Sequence, residues 1–127
     1  KSWMPGYYIH IEPQNCFISG GIYMPEPEKL KKIRDEINYN FEEFNSIISN
    51  KLFVKYYNKL IEDDKLSRPP KNYSKDNPAI EYLKLKHYAA VHHLSEKTIL
   101  SSNFTEYCAD TLKILKPLND FLIKSLD

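Results

Sequence analysis

Hydrophobic and polar positions change their period along this chain, and each change marks an element. From Gly6 to Glu12, GYYIHIE alternates, with Tyr7, Ile9 and Ile11 on one face and Tyr8, His10 and Glu12 on the other, as a half-buried strand requires. PQN turns the chain and CFISGGIYM returns, so the two runs predict a β-hairpin. Gly20 and Gly21 within the second strand mark a bulge, a bend or a close backbone approach.

The period then lengthens to that of helices. Pro25 and Pro27 end the strand, and Pro27 suits a first helical turn, where its missing N–H costs nothing. Leu30, Ile33 and Ile37 stripe the helix that follows. Asn40 with Glu43 has the form of a capping box before Phe44, Ile47 and Ile48. Asn50 is placed to cap a third helix, in which Leu52, Tyr56 and Leu60 form one stripe and Phe53 and Tyr57 widen it. RPPKNYSKD cannot be helical, because Pro69 and Pro70 fix their own φ and push the preceding residues toward extended geometry. Asn77 and Pro78 then read as N-cap and first residue of a short helix through Ala79, Ile80 and Leu83. HYAAVHHL predicts a further strand, Ser95 caps another turn, and a last helix starts near Asn103. Tyr107, Thr111, Ile114, Leu118, Phe121 and Leu122 stripe it, and Pro117 should kink or divide it.

The expected fold is therefore α+β: an antiparallel sheet built on a β-hairpin plus at least one further strand, with helices packed mainly on one face. The far face of such a sheet is left free for a ligand or for another segment of chain.

Composition narrows the partners. The 127 residues are one domain's worth, a single unit over 1–127 that buries roughly two thirds of its unfolded surface. Eighteen basic and seventeen acidic residues leave a net charge of +1, so no overall field draws the domain to nucleic acid or to an anionic membrane. Apolar runs fall far short of the ~20 residues that span a bilayer, and no basic-then-apolar leader opens the chain. A soluble, cytoplasmic protein with neither nucleic-acid nor membrane partner is the expectation. Cys16 and Cys108 match no metal or redox spacing and are expected in the core. Only Arg34 and Arg68 are arginine, and in a chain so rich in lysine each arginine is the costlier choice. The chain opens at Lys1 and runs directly into SWMPGYYIHIE, which reads like mid-protein sequence, so a fragment is expected.

PGYYIHIEP, FISGGIYMPEPEKLKKIRDEI, RPPKNYSKDNPAIEYLKLK and LKPLNDFL, in this order and at these separations, resemble the bacterial and fungal domain-of-unknown-function family 2461. The resemblance spans nearly the whole chain and implies an α+β domain; it implies no particular enzyme activity. Members of that family usually carry a further N-terminal part with a motif near RDTRFSKDKTPYK, which has no match here. The resemblance thus implies that the C-terminal portion is present, and that a missing N-terminal segment, or another chain of the same protein, completes the site. His87 stands where many members have serine and Asn77 where many have histidine, so neither is required for a shared chemistry.

Candidate chemistry is sparse. His92 and His93 are adjacent in a strand and point to opposite faces, so they cannot chelate one ion together. His10 and Glu12 share a face, and His87 or His93 would complete a two-histidine, one-carboxylate set if the strands pair suitably; against this, the bland reading of polar residues on a half-exposed sheet is preferred, with no metal and no cofactor. No Ser or Cys sits in a nucleophile motif, and no glycine spacing forms a phosphate loop. Lys51, Lys55 and Lys59 form a row along the edge of an amphipathic helix rather than a nucleic-acid patch.

The proline loop remains. Arg68, Lys71, Tyr73 and Lys75 lead into the donor-rich start of a helix, which together are the parts of a pocket for a small anionic molecule. The same Arg68 would also suit an ion pair with Glu62 or Asp63 that merely fastens the loop. The stretch is read as a joint first and a site second, with Tyr8, His10 and Glu12 of the hairpin as the facing wall. The expected function is an anion-binding or enzyme domain; the alternative is a structural or protein-interaction module whose free sheet face docks a partner.

Overall fold

The computed structural model describes residues 4–127. Among these, strands β1 (Gly6–His10), β2 (Phe17–Ile22) and β3 (Tyr88–His93) form one sheet in the order β1-β2-β3, antiparallel throughout. The helices are α1 (Pro27–Tyr39), α2 (Phe41–Ile48), α3 (Lys51–Tyr57), α4 (Ile80–Leu83), α5 (Glu96–Ile99), α6 (Phe104–Ile114) and α7 (Lys116–Ser125). The fold is α+β, as the alternation of periods predicts. No helix among the described residues is long and apolar enough to cross a membrane.

Register explains which face is buried. Ile18, Gly20 and Ile22 of β2 stand opposite His92, Ala90 and Tyr88 of β3, and this set faces the helices. Phe17, Ser19 and Gly21, paired with His93, Val91 and Ala89, occupy the other face. α6 and α7 both pack on β2, and their junction lies over its middle. Pro117 divides the two helices as expected, and the junction residue Leu115 is fully buried. Gly20 makes room for it: a Cβ there would lie 2.6 Å from Leu115 Cδ1. Gly21, with φ of +99°, is a close backbone approach, since a Cβ would come within 2.1 Å of the Tyr88 carbonyl oxygen.

Several local expectations are corrected. β1 ends at His10 rather than Glu12, because residues 12–15 form the turn, closed by Asn15 N–H donating to the Glu12 carbonyl (3.1 Å) and by Gln14 at positive φ. Asn40 makes no capping hydrogen bond; its amide donates to the Glu36 carboxylate instead. Asn50 does cap α3, accepting from Leu52 N–H and Phe53 N–H. The buried stripe of α3 is Phe53 and Tyr57, while Leu52 is exposed. Asn58, at positive φ, ends the helix, so Leu60 reaches the core outside the helical phase. Cys108 is buried and Cys16 half-buried.

β1 is an edge strand of the sheet. Tyr7 and Tyr8, two residues expected to be partly exposed, are 46% and 47% accessible; Trp3, the third, lies outside the described residues.

Candidate functional site

The proline loop is fastened at several points. Leu66 N–H donates to the Lys84 carbonyl (2.9 Å), and Lys65 bridges to Glu81 (2.9 Å), which ties the loop's start to α4. At its far end Asn77 is not the expected N-cap, since α4 begins at Ile80 with Ala79 as its cap; Asn77 Oδ1 instead closes the turn before the helix by accepting from Ala79 N–H (2.8 Å), while its amide donates to Asn38 of α1 (2.6 Å). Between these ends the Tyr73 hydroxyl donates to the Asp35 carboxylate of α1. The stretch is thus a joint, as read from its prolines, and it clamps against α1.

Between clamp and helix lies a hollow of about 370 Å³. Pro27, Leu30 and Pro70 give it apolar walls, and Arg34, Asp35, Lys31, Lys71 and Tyr73 its polar ones. Leu30, Ile33 and Ile37 are buried, and Arg34 shares their helical face, one turn beyond Leu30. Its guanidinium is therefore carried inward. One Nη donates to the Leu85 carbonyl (2.9 Å), whereas Nε is buried without any partner. Among the described residues no carboxylate lies within ion-pair distance of Arg34. Lys71 is exposed and has no ion pair among the described residues, while Lys31 is engaged with Asp35 at 2.9 Å. A buried N–H left without an acceptor, as the Arg34 Nε is, is unfavourable. An arriving anion would relieve it.

The surrounding acids and phenols respond to this setting. Burial pushes the Asp35 carboxyl up, but the hydrogen bonds from Tyr73 and Lys31 outweigh it and hold it below the usual carboxylate range. Burial, and then the Asp35 contact, raise the Tyr73 hydroxyl well above an ordinary phenol, with Arg34 opposing. Tyr88, which donates to the Tyr82 carbonyl (2.7 Å), is raised by burial and lowered by Arg34. Two protonated phenols, Tyr73 and Tyr88, thus feel the Arg34 charge.

The other expected residues lie elsewhere. Arg68 is exposed and pairs with neither Glu62 nor Asp63; Glu62 is held by Lys59 (3.2 Å) and Lys65 (3.5 Å). Tyr8 lines a shallow cleft on the free sheet face with Ser19, Tyr23 and Asp63. His10 and Glu12 pair with each other at 3.0 Å, and Glu12 lines a separate hollow beside the hairpin turn. The hydrogen bond from His10 holds the Glu12 carboxyl below its ordinary value. Lys71 and Tyr73 thus converge with α1, and the three hairpin residues do not join them.

Register also separates the histidines. His10, Phe17 and His93 form one cross-strand row, with Phe17 stacked on His10 at 4.9 Å and edge-on to His93 at 6.2 Å. Two strand spacings, roughly 9.5 Å, and an aromatic ring stand between the imidazoles, so they do not share an ion with Glu12. His92 faces the helices, where its Nδ1 meets the Tyr56 carbonyl (2.7 Å) and its Nε2 the Tyr107 hydroxyl (2.7 Å). A carbonyl only accepts, so Nδ1 carries the proton and Tyr107 donates to Nε2. His87 is buried rather than on a polar face: Met24 N–H donates to its Nδ1 (2.9 Å), and Tyr23 stacks on it at 4.2 Å.

Larger hollows exist. One of about 570 Å³ between α2, α3 and α6 is apolar, lined by Ile47, Phe53 and Ile114, with the exposed Asp110 and Lys113 at its mouth. Another of about 680 Å³ beside the hairpin turn holds Glu12, whose carboxylate His10 and Asn15 already occupy. Neither is lined by a charged side chain with a buried, unbonded N–H, and that distinguishes the Arg34 hollow. The sequence carried one signal of it: an arginine in the i, i+3, i+4, i+7 pattern of Leu30, Ile33 and Ile37, where an apolar residue is the norm.

In comparison with known proteins, a family described as conserved hypothetical protein (DUF2461) matches residues 1–121. No curated protein and no solved structure matches the chain.

Proposed function

This chain belongs to the DUF2461 family of conserved hypothetical proteins, and on that premise we propose that it binds a small carboxylate or phosphate in the hollow between α1 and the proline loop. One observation carries the reading: Arg34 is drawn inward on an apolar helix face and meets no carboxylate there. Guanidinium groups in such positions recognise carboxylate and phosphate through paired N–H donors. Lys71 adds a second free cation, and Tyr73 closes the loop over the helix. At about 370 Å³ the hollow lies at the small end of ligand sites. Arg68 is exposed and does not line the hollow.

Thermal unfolding in rising inorganic phosphate or acetate, against sodium chloride of equal ionic strength, tests the reading. A bound anion stabilises the folded state by RT ln(1 + [L]/Kd), so the midpoint should climb with the anion and not with chloride. Arg34→Met should abolish the climb and Lys71→Met weaken it. A midpoint indifferent to both anions, or a climb that survives in Arg34→Met, refutes the proposal.

A further inference from the structure

Resting on that reading, we infer that the hollow takes a carboxylate bearing a hydrogen-bond donor beside its acid group, as a 2-hydroxy acid does, in preference to phosphate. Consecutive residues of α1 supply opposite charges here: Arg34 and Asp35 both line the hollow, and the Tyr73 hydroxyl, bonded to Asp35, also feels the Arg34 charge. Lys31 is taken up by Asp35, which leaves Arg34 and Lys71 as the free cations.

Asp35 is what discriminates. Each of its carboxylate oxygens accepts one hydrogen bond, from Tyr73 at one and from Lys31 at the other. A carboxylate offers about four acceptor sites, so two remain for a ligand. It also stays ionised near neutral pH, because its partners stabilise the charged form. Phosphate near neutrality presents mainly acceptor oxygens, and seating it on Arg34 sets them against an ionised carboxylate. A hydroxy acid escapes this conflict: its carboxylate meets the guanidinium fork while its hydroxyl donates to Asp35. The apolar walls at Pro27, Leu30 and Pro70 suit a hydrocarbon body rather than a second charged group.

Calorimetric titration of the full chain at pH 7 and fixed ionic strength, with inorganic phosphate, 3-phenylpropanoate and 2-hydroxy-3-phenylpropanoate as probes, decides the matter. The hydroxy acid should bind about tenfold more tightly than its deoxy counterpart, the ordinary yield of one charge-assisted hydrogen bond. Phosphate should be the weakest of the three. Asp35→Asn should collapse the tenfold ratio; if that variant fails to fold, the wild-type ratio alone decides. Equal affinity for the two phenyl acids, tightest binding of phosphate, or a ratio that persists in Asp35→Asn overturns this inference and leaves anion binding standing. No binding of any probe overturns both.

Discussion

Replacing Gly21 by alanine probes the closest contact in the sheet. At φ of +99° an L-residue is strained, at a cost of about 1–2 kcal/mol. The new methyl would also sit 2.1 Å from the Tyr88 carbonyl oxygen and 2.8 Å from the Ala89 Cα. Both are backbone atoms of the neighbouring strand and cannot swing aside, so relief requires strand separation, an overpacking cost of about 1–3 kcal/mol. The stiffer unfolded chain of the variant returns about 0.4–1 kcal/mol. The net loss is about 3 kcal/mol, a large part of the 5–15 kcal/mol that holds a domain together. Urea unfolding followed by circular dichroism should show a lower midpoint with an unchanged slope. Gly20→Ala supplies the control, since its nearest obstacle is the movable end of Leu115 at 2.6 Å, and its loss should be about 1 kcal/mol. A Gly21→Ala loss below about 1 kcal/mol, or a larger loss for Gly20→Ala, would refute the reasoning.

Two further outcomes follow from caps and charges. Asn50→Ala should cost about 1 kcal/mol in urea unfolding, because its side chain accepts from two N–H groups of α3, whereas Asn40→Ala should cost less, having no capping bond to lose; equal losses would contradict this assignment. The Asp35 carboxyl is depressed in the folded chain, so its contribution to stability is present above the ordinary carboxylate range of about pH 4 and is lost as pH falls through the depressed value. The stability difference between wild type and Asp35→Asn should therefore shrink on acidification below about pH 4, and a gap that stays constant in acid unfolding curves would count against the Tyr73 and Lys31 contacts.

By itself the sequence determined what depends on local geometry. The hairpin, the stripe of α1, the caps at Asn50 and Ser95, the division at Pro117 and the stiff proline loop all rest on period, fixed φ or the donors at a helix start, which neighbours in the chain settle between them. It also put Lys71 and Tyr73 in one stiff loop, and the structure brings both to the hollow beside α1. The tertiary structure alone decided the partners. Arg68 and Arg34 differ little as letters, but only Arg34 lies on the buried face of a helix, and which side chains cover that face is a matter of packing between segments distant in sequence. The same holds for the hairpin: register put Phe17 between His10 and His93 and left Tyr8, His10 and Glu12 away from the loop. Period two tells which face a strand residue takes, but the pairing of strands across the sheet, and the helix that comes to lie against a loop, are set by long-range burial that no local pattern encodes.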